Sequence, residues 1–130
     1  MTSVVLDASA LMAFLHSEPG GDMVWQALSD ALISAVNYSE ILKKAVERGK
    51  QVDAVAATIR RLSLVIVPFD EAHAAAAAEL YPQAKPHGMS FADRACLSLG
   101  VMRQAPVLTA ERKMRLLTLP IKVKLIRNAH

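Results

Sequence analysis

Cysteine is almost missing from this chain. Cys96 stands alone among 130 residues, which excludes an internal disulfide and any cysteine-based zinc spacing. Aromatics make up only 5% of the sequence, too few for an extended stacking platform for nucleobases. No apolar run approaches the ~18 residues that a membrane span needs. The first apolar stretch has no basic segment before it and is cut short by Asp7, so the expectation is a cytoplasmic protein without a signal peptide. His16, His73, His87 and His130 are scattered without ligand spacing, which argues against a zinc or histidine-nucleophile site.

What is present is apolar and aliphatic. Ala, Leu and Val dominate a composition that is 53% hydrophobic, suited to helices packed on a small sheet. The length fits one domain, 1–130, able to bury about two-thirds of its unfolded surface. The net charge is only +3, but it is unevenly placed. Arg103, Arg112, Lys113, Arg115, Lys122, Lys124 and Arg127 face one acid, Glu111, in the last quarter. A polyanionic partner accounts for that asymmetry, and so does an edge strand studded with lysine against aggregation. Charge alone leaves both open.

Periodicity supplies the elements. Val4-Val-Leu6 ending in Asp7 reads as a buried strand, with a helix over Ala8 to Leu15 behind it. Glu18-Pro-Gly-Gly21 breaks that helix, and Asp22 is expected to cap another running to about Asp30, with Trp25 packed inside. Ala31 to Ala35 is a second strand. Tyr38, Ile41, Leu42 and Ala45 stripe a long helix that Gly49 stops, and Val52, Val55, Ala56 and Ile59 stripe its antiparallel partner. Leu64 to Val67 is a third strand, Asp70 caps an Ala-rich helix to about Tyr81, and Pro82 to Met89 reads as a loop. Ser90 opens a helix whose buried stripe is Ala92, Ala95, Cys96, Leu99 and Met102. A fourth strand at Pro106 to Leu108, a short helix at Glu111 to Leu117 and a last strand at Ile121 to Ile126 complete the chain. The fold class is α/β, a mainly parallel sheet of four to five short strands covered on both faces.

Four acids share one kind of address, at a strand end or helix start: Asp7, Glu40, Asp93 and Glu111. Each taken singly fits a helix cap. Asn37-x-x-Glu40 and Ser90-x-x-Asp93 both look like capping boxes. Taken together they point elsewhere. Asp7 and Glu111 follow strands expected to be parallel, so both emerge at one sheet edge, and the helices bearing Glu40 and Asp93 can begin there too. Four converging carboxylates repel unless a cation sits among them, and a hard divalent ion accepts oxygen ligands while keeping most of its waters. Such a site can activate water and neutralise a phosphodiester transition state. A phosphotransfer enzyme built on a strand-end aspartate would want a second acid two residues after Asp7, where Ser9 stands.

The segments Val-Leu-Asp7-Ala-Ser-Ala, Asn37-Tyr-Ser-Glu40, Ser90-Phe-Ala-Asp93-Arg and Val-Leu-Thr109-Ala-Glu111-Arg resemble, in order, the acidic motifs of the PIN-domain family. The closest likeness within it is to the VapC-type ribonuclease toxins of toxin–antitoxin pairs. The resemblance implies a three-layer α/β/α sandwich and a magnesium-dependent endoribonuclease, with manganese able to substitute. It places Asp7 and Asp93 as metal ligands, Glu40 as the third acid and Glu111 where the family usually has Asp. Met114 stands where an aromatic commonly follows. Ser9 and Thr109 match hydroxyls that orient the acids, and Arg94, Arg112, Lys113 and Arg115 are candidates for contact with the RNA backbone. The resemblance further implies a homodimer and a VapB-like antitoxin docked on the helical hairpin at residues 36–62. The Glu111 and Met114 departures leave a second reading, a non-catalytic or weakly active PIN-like RNA-binding module.

Overall fold

In a computed structural model of the chain, which describes residues 3–127, the opening apolar run becomes β1 (Val4–Leu6) and Asp7 ends it. Helix α1 (Ala8–Leu15) begins at once, because the Asp7 carboxylate accepts the free Ala10 N–H that the first turn would otherwise leave unpaired. Helix α2 (Gly21–Ala27) packs against α1. Asp22 does not cap it; that position falls to Gly20, at φ +92°, and Asp22 lies within the first turn. The helix tightens into a 3-10 turn at Leu28–Asp30 before β2 (Ala31–Ser34). Trp25 is 62% exposed and stacked on Phe14 at 5.5 Å, not packed inside as expected.

The helical hairpin forms as α3 (Ala35–Glu47) and α4 (Val52–Arg60), with Gly49 in the left-handed region at φ +76°. Its start differs from expectation. Ser34, the last residue of β2, caps α3 by accepting from Val36 N–H at 3.2 Å, so Asn37 is already inside the helix and the Asn37–Glu40 capping box does not form. Then come β3 (Val65–Val67) and α5 (Glu71–Glu79), capped by Asp70 through His73 N–H. The expected loop after it is structured: α6 (Tyr81–Ala84) runs into a 3-10 turn at Lys85–His87, and proline is tolerated at the start of each turn, where its missing N–H costs nothing.

Helix α7 (Phe91–Arg103) carries the capping box that the sequence suggested: Ser90 Oγ accepts from Asp93 N–H, and Asp93 Oδ2 accepts from Ser90 N–H at 2.9 Å. Its burial is broader than one stripe, running unbroken from Ala95 to Gly100, while Met102 is exposed. Strand β4 (Val107–Thr109) follows, then a 3-10 turn at Arg112–Arg115 in place of the expected helix, then β5 (Val123–Leu125).

All strand pairs are parallel and the order is β3-β2-β1-β4-β5. Side chains alternate between two cores, as a pleated sheet requires. Leu6, Ile33 and Leu108 face α1 to α4, and Val5, Leu32 and Val107 face α7 with Met114. Helices therefore cover both faces, giving the three-layer arrangement. Strand β5 is an edge, and Lys122 and Lys124 are exposed along it, so part of the basic asymmetry is edge protection. His130 lies outside the described residues, within which no helix is long and apolar enough to cross a membrane.

The close approach of α2 to α1 depends on Gly21, where an added Cβ would meet the Ala13 carbonyl oxygen at 2.8 Å and Phe14 Cα at 3.0 Å. Neither backbone atom can yield without moving α1. Gly21→Ala is expected to cost about 1–3 kcal/mol in urea unfolding. An unchanged midpoint would mean the two helices do not meet as described.

Candidate active site

Parallel pairing of β1 and β4 brings Asp7 and the residues after Thr109 to the same sheet edge. The two ends are stitched together by side chains. Ser9 Oγ donates to Asp7 Oδ1 at 2.7 Å and accepts from Ala110 N–H at 2.9 Å. Thr109 Oγ1 donates to Asp7 Oδ2 at 2.5 Å and accepts from Glu111 N–H at 3.0 Å. Asp7 thus takes two hydrogen bonds on Oδ1, counting Ala10 N–H, and one on Oδ2. A carboxylate has about four acceptor positions, so one remains on Oδ2.

Asp7 is buried, at 4% exposure. Burial pushes its pKa up from 3.8 to about 6, outweighing the hydrogen bonds from Thr109, Ser9 and Ala10 that favour ionisation, and the charge of Glu111 adds to the rise. Burial likewise drives the Cys96 thiol well above its usual value, with the charges of Asp7 and Asp93 contributing. Cys96, on α7 beneath the site, feels both acids and stays a protonated core residue.

Asp93 and Glu111 meet on one cation. Lys113 Nζ lies 3.1 Å from Asp93 Oδ2 and 3.6 Å from Glu111 Oε2. Burial pulls the lysine pKa down, but hydrogen bonding and charge from Asp93, then Glu111, overcome it and hold the ammonium above its usual value. Asp93 Oδ2 is doubly used, by Ser90 N–H and by Lys113, whereas Oδ1 takes no hydrogen bond among the described residues. Arg112 and Arg115 are exposed beside it.

Glu40 stands apart from that trio. It lies in the second turn of α3, half-buried, and lines an open cleft with Ser90, Phe91 and Phe69. It therefore neighbours the α7 cap, and so the helix end that carries Asp93. What draws α3 to α7 is Asn37, which the sequence offered only as a cap. Its Nδ2 donates to the Ala92 carbonyl at 3.0 Å from a buried position, and its buried Oδ1 has no hydrogen-bond partner among the described residues. Arg94 has a structural occupation: Nη1 donates to the Ala77 carbonyl of α5 at 3.0 Å, and the guanidinium lies over the Tyr81 and Phe91 rings.

Among the described residues no three His, Cys, Asp or Glu side chains form a ready-made metal cage. The donor set nevertheless suits a hard divalent ion held by one or two carboxylates with waters completing the shell. Asp7 Oδ2 and Asp93 Oδ1 have acceptor capacity to spare, all donors are oxygen, and the chain already places an ammonium against Asp93 and Glu111.

Known proteins share this fold. A family profile described as PIN domain matches residues 4–118. No curated protein matches the chain in sequence. Among solved structures the chain is similar to one from a DNA-bound VapBC of Salmonella typhimurium, with TM-score 0.72, 17% identity and coverage of 98% of this chain and 100% of the other. It is similar to VapBC2 of Rickettsia felis bound to a promoter DNA fragment, with TM-score 0.70, 16% identity and coverage of 95% and 98%. FitAcB from Neisseria gonorrhoeae matches with TM-score 0.65, 22% identity and coverage of 85% and 89%.

The raised Asp7 pKa has a definite sign. The folded state binds this proton more tightly than the unfolded one, so the stability it contributes is complete below pH 3.8 and lost as pH rises through about 6. The ionised form costs the fold about 3 kcal/mol at neutral pH. Asp7→Asn is therefore expected to be more stable than the parent at pH 7.5 in metal-free buffer, with the gap closing near pH 4. Urea unfolding at both pH values checks this. An Asn variant less stable at pH 7.5 would show that the carboxylate is a net stabiliser.

Proposed function

This chain belongs to the PIN domain family, whose members are generally nucleases, and from that premise we propose that it is a metal-dependent endoribonuclease of the VapC toxin type. The observation that carries the reading is the meeting of Asp93 and Glu111 on a single ammonium at the sheet edge where Asp7 emerges. Caps have no reason to converge in this way.

Asp7 and Asp93 would hold Mg²⁺, with Mn²⁺ able to replace it. Bound there, the ion supplies acidity to water and neutralises charge on a phosphodiester transition state. Ser9 and Thr109 fix the rotamer of Asp7, so its free acceptor faces one direction. Glu40 and Glu111 flank the pair, and one of them orients and deprotonates the attacking water. Arg112 and Arg115, exposed on the turn beside the site, attract the RNA backbone and make binding salt-sensitive. Arg94 is needed where it is, between α5 and α7.

The partner we propose is a VapB-like antitoxin seated on the helical hairpin at residues 36–62, in a cytoplasmic complex of toxin homodimers. Between α1, α3 and α4 lies a cavity of about 150 Å³ floored by Met12, Leu15, Ile41 and Val55 and rimmed by Lys44, Arg48 and Lys50. An amphipathic helix with acidic flanks is complementary to it. The structural neighbours named VapBC are consistent with such a partner.

A weakly active or non-catalytic PIN-like module is the second reading, and the longer arm of Glu111 paired with its own lysine is the observation on its side. Cleavage of RNA in Mg²⁺ or Mn²⁺, abolished by EDTA, separates the two. Asp93→Asn is expected to lower cleavage about 10²-fold or more with the circular dichroism spectrum unchanged, and Glu111→Gln about tenfold. Full activity of Asp93→Asn in metal-replete buffer would remove the nuclease assignment.

A further inference from the structure

We propose that Lys113 is the resident counter-ion of the acidic site, held where a divalent cation's charge is needed and displaced when that cation binds. This rests on the metal-dependent reading above and assigns a role to a residue that the acidic pattern does not include.

Of the three cations on the 112–115 turn, Lys113 alone comes within 4 Å of an acid among the described residues, and it reaches two at once, Asp93 at 3.1 Å and Glu111 at 3.6 Å. Asp93 is largely enclosed, whereas Glu111 is exposed. The Lys113 side chain is itself only part-exposed, so the ammonium sits over the acids and not out in solvent. It uses the Oδ2 atom of Asp93 that already accepts Ser90 N–H.

Without a cation there, Asp7, Asp93 and Glu111 would leave three negative charges at one sheet edge. Lys113 offsets those of Asp93 and Glu111, and a divalent ion bound on the same oxygens would be repelled strongly by the ammonium. The two cannot share the place. The lysine side chain has four rotatable carbons and stands on a short 3-10 turn anchored by the fully buried Met114, so it can swing out without moving the backbone. Resting occupancy by lysine therefore weakens metal affinity and protects the free protein from the self-repulsion of its own site.

The test is direct binding of Mn²⁺, read by electron paramagnetic resonance of the free ion, for the full chain and for Lys113→Met and Lys113→Arg, each checked for folding by circular dichroism. The Met variant, which keeps the apolar stem and loses the charge, is expected to bind Mn²⁺ about tenfold more tightly at low ionic strength. The Arg variant, still able to bridge both acids, is expected to stay close to the parent. In thermal melts without metal, Lys113→Met should melt lower than the parent and regain more on adding Mn²⁺. Equal or weaker Mn²⁺ binding by Lys113→Met overturns the proposal while leaving the nuclease reading intact. A parent protein whose Mn²⁺ binding is unaffected by Asp93→Asn overturns the metal reading itself, and this proposal with it.

Discussion

A carboxylate buried at the end of the first strand is the constraint on which the rest of this molecule turns. Asp7 simultaneously caps α1 through Ala10 N–H and receives the hydroxyls of Ser9 and Thr109, so one side chain joins β1, α1 and β4. Those bonds do not fully offset the loss of water, and the acid stays reluctant to ionise. A fold optimised for stability alone would place a neutral cap there. Retaining an acid in that position makes sense when a cation completes it, which is how the strain of the site and its chemistry become one feature.

The sheet turns that single acid into a site. Parallel order delivers β1 and β4 side by side with the same polarity, so Asp7 and the Thr109–Glu111 segment must emerge together. Asn37 then fastens the start of α3 to the start of α7 across the layers, bringing Glu40 beside the cap that holds Asp93. The result is two tiers of acid. Asp93 and Glu111 meet through Lys113, Asp7 feels the charge of Glu111 through space, and Glu40 faces the adjoining cleft.

Much of this was legible in the residues because local chemistry decides it. Val4 to Leu15 reads to the residue, since an aspartate between an apolar run and an alanine-rich one can only end a strand and start a helix. The Ser90–Asp93 box reads for the same reason. The start of α3 does not, because Ser34 and Asn37 compete for one cap and tertiary packing chooses between them by burying Asn37 against α7. Trp25 was expected inside, but α2 is short and leaves it 62% exposed, stacked on Phe14. The Lys113–Asp93 bridge joins positions twenty apart in sequence on two separate elements, and no local pattern encodes it.

The central claim is that this edge is built for a divalent ion, and crystals soaked in Mn²⁺ test it most directly. The account predicts anomalous density against carboxylate oxygens of Asp7 and Asp93, with the Lys113 ammonium moved away from Asp93. Crystals that show no manganese at this edge, with Lys113 still lying between Asp93 and Glu111, would contradict it.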